Sequence, residues 1–117
     1  MEPPFDRTAA QETLKKKETQ KQELLETTRL EVLNHTTEVI KNYFKNKNVN
    51  VFLIGSLIIP HQFTPSSDVD IVLKNFHGDR FEVWPELESL IGRQVEIILY
   101  EKCPFQDHVD RNGMKVI

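Results

Sequence analysis

The stretch VFLIGSLIIPHQFTPSSDVDIVL, residues 51–73, decides the fold. Val51-Phe52-Leu53-Ile54 is apolar on both faces, the pattern of a strand covered on both sides rather than one facing water. It stops at Gly55-Ser56, where the chain must turn. The loop LIIPHQFTPSS (57–67) follows, and Pro60 and Pro65 keep it from forming a long helix. Asp68-Val69-Asp70-Ile71-Val72-Leu73 then reads as a second strand, alternating acidic and apolar at its start.

Toward the N-terminus the chain changes character. Residues 8–54 hold no Gly and no Pro, whereas all four Gly and four of the six Pro fall at or after Gly55. Leu25, Val32 and Val39 recur every seven residues, and Leu33, Ile40 and Phe44 follow the spacing of one helical face. The spacing predicts a helix over 24–46 lying on the core. Residues 1–23 form a polar extension, in which Thr8 and Gln11 fit a capping box and Lys15-Lys16-Lys17 adds a charged run. This extension either prolongs the helix into solvent or frays, since it has little apolar surface to bury.

Toward the C-terminus, residues 75–79 read as a turn around Gly78. A short helix is expected from Trp84-Pro85, closed by Gly92 at its C-terminal cap. Residues 94–100 form a third strand, with Val95, Ile97 and Leu99 on one face and Glu96, Ile98 and Tyr100 on the other. A helix from Pro104 to Asn112-Gly113 and a brief last strand complete the order α, β, β, α, β, α, β. The fold class is α+β: one domain over 24–117, with helices on a small mixed sheet of three or four strands.

Composition bounds the function. The chain has 117 residues, 15 Lys and Arg against 18 Asp and Glu, and a formal charge of −3. That balance argues against a nucleic-acid partner gripped through a basic surface. No apolar run reaches the length of a membrane span. The single cysteine, Cys103, has no partner for an internal disulfide, so a reducing, cytoplasmic setting is expected.

Three features carry chemistry. Gly55-Ser56 ends a buried strand; glycine lets an anion approach the backbone, and a helical turn starting there would offer free N–H groups and the Ser56 hydroxyl. Asp68 and Asp70 stand two apart, so one strand would carry both carboxylates on one face. Adjacent carboxylates repel unless a cation lies between them, and Mg²⁺ suits a few carboxylates plus substrate phosphates. Glu96 reaches the same face if its strand pairs beside theirs.

Together these residues resemble the polymerase-beta-type nucleotidyltransferase superfamily. The stretches Val51–Ser56, Ser67–Val72 and Val95–Ile98, and the ending Phe105–Ile117, are similar to its minimal nucleotidyltransferase family in particular. The resemblance covers residues 30–117. It implies the polymerase-beta-like fold, with Gly55, Ser56 and Ser67 binding a nucleoside triphosphate, ATP by the same resemblance. It further implies Asp68, Asp70 and Glu96 as catalytic residues and Mg²⁺ ligands, and transfer of AMP to a hydroxyl. The expected partner is a helical HEPN-type toxin that the chain would modify as an antitoxin; self-association stays open. Leu57-Ile58-Ile59 stands where the family has a basic stretch, and Glu96 where Asp is more usual.

A second class of function is a binding module that keeps the fold and neutralises its partner by contact. Against other classes, His35, His61, His77 and His108 lack zinc-ligand spacing. The Ile71-Val72-Leu73 run excludes an EF-hand. The polar helix end and the Leu57–Ile59 patch are consistent with a docking surface, and a solvated charged helix end is the plainer reading of the first.

Overall fold

The computed structural model describes residues 7–117, with side chains described from Lys15 onward. The first helix, α1, runs Arg7–Tyr43. It is longer than the 24–46 expected at its start and ends three residues earlier, so the polar extension prolongs the helix. The Thr8–Gln11 capping box lies outside the described side chains. From Lys15 to Leu24 the helix is exposed all round. Its second half packs on the core through Ile40 and Phe44, with Val32, Leu33 and Val39 at the margin.

Strands β1 (Asn50–Ile54), β2 (Val69–Lys74), β3 (Val95–Leu99) and β4 (Met114–Lys115) form one sheet in the order β3-β2-β1-β4. β1 is antiparallel to β2 and β4, and β2 is parallel to β3. Parallel pairing needs a crossover, here supplied by helix α2 (Arg80–Ile91). Helix α3 (Gln106–Asn112) precedes β4. The element order expected from the sequence is the order observed, apart from two single turns of 3-10 helix at Ser56–Ile58 and Tyr100–Lys102.

α2 begins at Arg80 and not at Trp84-Pro85. The Asp79 carboxylate accepts the Phe81 N–H at 2.9 Å, an N-cap that starts the helix one turn earlier and leaves Pro85 inside it. Gly92 closes α2 as expected, left-handed at φ 81°, its N–H bonded to Glu88 O at 2.8 Å. α3 begins two residues after Pro104, and β3 stops at Leu99, one residue short of Tyr100.

The sheet's two faces differ. Val51, Leu53, Val69, Ile71, Leu73, Val95 and Ile97 join Ile40 and Phe44 of α1 and Val83, Leu87 and Ile91 of α2 in the larger core. On the other face Ile54 and Val72 pack with Cys103 and with Val109 of α3. Register pairs place Asp70 on this second face, opposite Ile54 on one side and Glu96 on the other.

Candidate active site

Gly55 follows the last residue of β1 with φ +80° and caps the 3-10 turn Ser56–Ile58. The helical turn expected after Gly55-Ser56 is therefore present, and the first N–H groups of such a turn have no acceptor within it. The neighbouring strand explains the glycine: a Cβ at residue 55 would lie 2.5 Å from Asp70 Oδ2. Positive φ and close approach thus both require Gly there. The Gly55-Ser56 turn and the second carboxylate of the D-x-D stretch are in direct contact.

Asp70 and Glu96 are register partners across the parallel pair β2–β3, so period-two geometry sets both carboxylates on the second face. Asp70 is half-buried and Glu96 exposed. Burial, then the Glu96 and Asp68 carboxylates nearby, push the Asp70 carboxyl up to about 6. Asp68 stands exposed, one residue before β2 begins, where the sequence placed the strand's first residue. Its charge still reaches Asp70.

Ser67 belongs to a closed turn. Its N–H donates to Thr64 O at 3.0 Å and its Oγ accepts the Thr64 N–H at 2.9 Å. A cleft of about 340 Å³ opens beside it, lined by segments 65–68 and 92–94. The apolar stretch after Ser56 is largely folded inward: Leu57 is fully buried and Ile58 packs on the core, leaving Ile59 exposed. The apolar patch read at Leu57–Ile59 is thus mostly core.

The carboxylates are hard oxygen donors, and a half-buried Asp70 with the Glu96 and Asp68 charges nearby is an arrangement a cation would relieve, so their chemistry fits Mg²⁺. Among the described residues, however, no three His, Cys, Asp or Glu side chains already converge as a metal cluster. Two charged residues near the site went unread in the sequence. Arg29 donates to Leu57 O, and Arg93 to the carbonyls of Thr64, Pro65 and Ser67. For Arg29 a signal existed, since it falls on the same helical face as Leu33, Thr36 and Ile40. For Arg93, in a turn, none did.

A search of protein-family models and of curated proteins returned no match to the chain. Among the described residues no helix is long and apolar enough to cross a membrane.

Proposed function

We propose that the chain is a Mg²⁺-dependent nucleotidyltransferase that moves a nucleoside monophosphate, AMP from ATP, onto a hydroxyl of a partner protein, with a HEPN-type helical toxin as the partner class. One observation carries this reading: Asp70 is seated against the Cα of Gly55 while Glu96 stands in register beside it. A turn suited to phosphate and a pair of carboxylates thereby form one site. The reaction needs that contact, because the α-phosphate must lie between the groups holding the triphosphate tail and those meeting the acceptor.

In this reading Gly55 and Ser56 offer backbone N–H groups and a hydroxyl to the triphosphate. Asp68, Asp70 and Glu96 would hold the ion. Mg²⁺, when bound, neutralises phosphate charge and stabilises the attacking and leaving oxygens of an in-line displacement. Glu96 takes the acceptor hydroxyl's proton as the new O–P bond forms and pyrophosphate leaves. Positioning and charge neutralisation supply most of the rate.

A second reading, a binding module that neutralises its partner by contact, is favoured by Leu57 and Ile58, which fold into the core where the resembled family has a basic stretch. One experiment separates the two. The chain, with whatever protein co-purifies, is incubated with Mg²⁺ and α-labelled ATP, and so is its Asp68→Ala/Asp70→Ala variant. The nucleotidyltransferase reading expects one nucleotide of added mass on the partner, absent with the variant. If no label transfers and the variant still neutralises the partner, the binding module stands instead.

A further inference from the structure

The connection from Ser56 to Asp68 joins the two halves of the site, contains two prolines and has little regular structure. Two guanidinium groups from distant elements grip it. On one side Arg29 of α1, only 6% exposed, donates through Nη1 to the Leu57 carbonyl at 3.0 Å. Glu26 orients it, accepting from Arg29 Nε at 3.0 Å and from Nη2, and also accepts the His61 N–H at 3.0 Å. His61 is held there in the left-handed region, at φ 66°. On the other side a single nitrogen of Arg93, Nη2, donates to Pro65 O at 2.9 Å, Ser67 O at 3.2 Å and Thr64 O at 3.4 Å. Its guanidinium lies over the Phe63 ring, 4.7 Å from the centroid, and Phe63 is itself in the core.

We propose that Arg29 and Arg93 are positioning residues that clamp this connection from its two ends, so that Gly55–Ser56 and Ser67–Asp68 are presented together to one Mg²⁺–nucleoside triphosphate. Neither is cast as a ligand-binding cation. Arg29 is neutralised by Glu26, and the Arg93 nitrogen nearest the loop is occupied by backbone carbonyls. Three carbonyl dipoles converging on one point repel each other unless a cation lies among them, which explains a positive charge at residue 93. The planar group also stacks on Phe63, which an ammonium cannot reproduce. By the same logic α1 is part of the site, since Glu26 and Arg29 fix residues 57–61. The proposal rests on the nucleotidyltransferase reading only for the identity of the ligand.

The test uses the full chain with Arg29→Lys, Arg29→Gln, Arg93→Lys and Arg93→Gln. Hydrogen exchange of the free protein is the first readout. Arg93→Gln is expected to raise exchange about tenfold or more at amides of 64–69, and Arg29→Gln at 57–62, with β2 and β3 otherwise protected. Affinity for a non-hydrolysable ATP analogue with Mg²⁺ is the second. Each Gln variant is expected to weaken it about tenfold, and Arg93→Lys to recover part of the loss because it restores a charge to the three carbonyls. Unchanged exchange, uniform loss of protection across the sheet, or a loosened loop with unchanged affinity would each overturn the clamp. If the wild-type chain does not bind the analogue, the nucleotidyltransferase reading falls. The clamp is then decided by exchange alone: upheld by segment-specific loss, overturned by uniform or absent loss.

Discussion

The two faces of the sheet are built from the same three strands and do different work. On the face under α1 and α2, Val51, Leu53, Val69, Ile71 and Leu73 are essentially inaccessible, and nothing charged comes from the strands. On the other face, buried Val72 gives way one same-face position along to Asp70, which stands in register between buried Ile54 and exposed Glu96. β2 shows the contrast most sharply, since Ile71 and Asp70 are chain neighbours pointing to opposite layers. The first face fastens the sheet to its helices, and that fastening lets the second face keep mutually repelling carboxylates at its edge. A small domain has only a modest stability reserve, so this division of labour matters.

Truncation on the fastening face tests the contrast most strongly. Ile71→Ala is expected to lower unfolding free energy by about 2–5 kcal/mol in urea titration, the range for deleting a fully buried aliphatic side chain. Asp70→Ala, one residue away, is expected to leave stability unchanged or improved. Equal losses from both would show that the second face is also structural, and the division would fail.

The next effect joins the two strands at the site. Gly55→Ala forces a Cβ into a left-handed backbone and to 2.5 Å from Asp70 Oδ2. The backbone part costs about 1–2 kcal/mol, and the carboxylate must move as well. In a double-variant cycle, Gly55→Ala should be milder in an Asp70→Gly background, with a coupling of about 1 kcal/mol or more in thermal or urea unfolding. Strictly additive effects would mean that Gly55 and Asp70 do not meet.

The element order, the buried first strand and the Gly92 cap were legible in the sequence, because each rests on local periodicity or on one residue's backbone preference; the shared face of Asp70 and Glu96 was legible only on the condition that their strands pair, which the register supplies. What was not legible depends on partners far along the chain. Leu57 reads as a surface patch when only its neighbours are considered, yet it is buried beneath a contact with Arg29, 28 residues away. The Arg93 contacts with 64–67 span 26 to 29 residues. Asp68 looked like the first residue of a strand; the turn closed by Thr64 and Ser67 holds it just outside. α2 starts at Arg80 because the Asp79 side chain caps it, and Pro85, which fits the first turn of a helix as well, lies inside it.

The carboxylates also give the second face a pH signature. Asp70 titrates near 6 in the folded chain against an ordinary value of 3.8, so the folded state binds its proton more tightly than the unfolded state. Its contribution to stability is therefore full below about 4 and is lost as pH rises through about 6. Screening at this half-exposed position reduces the size to about 1–2 kcal/mol. Asp70→Asn should flatten metal-free thermal stability between pH 4 and 7, and added Mg²⁺ should stabilise the wild-type chain more at pH 7 than at pH 5. Glu26, held down to about 2 chiefly by its hydrogen bond from Arg29, contributes stability that is present above its ordinary value of 4.5 and is lost as pH falls from there through about 2, equally in wild type and variant, so the comparison between them isolates Asp70. A wild-type profile as flat as the variant's would remove the electrostatic distinction between the faces.

The smallest effect concerns a buried hydroxyl without a hydrogen-bond partner on the fastening side. Thr36 of α1 is fully buried, one turn before Ile40, and its hydroxyl finds no hydrogen-bond partner. An orphaned hydroxyl destabilises the folded state without serving a site, unlike Asp70, whose unfavourable burial places a carboxylate against Gly55. Thr36→Val keeps the branched shape and removes the desolvated group, so it is expected to raise stability by about 0.5–1 kcal/mol, a shift of a few degrees in melting temperature. Mg²⁺ binding and the pH profile of Asp70 should not move. A loss of stability would mean that the Thr36 hydroxyl has a role in holding α1 to the sheet, and that the fastening face is less purely apolar than its strands.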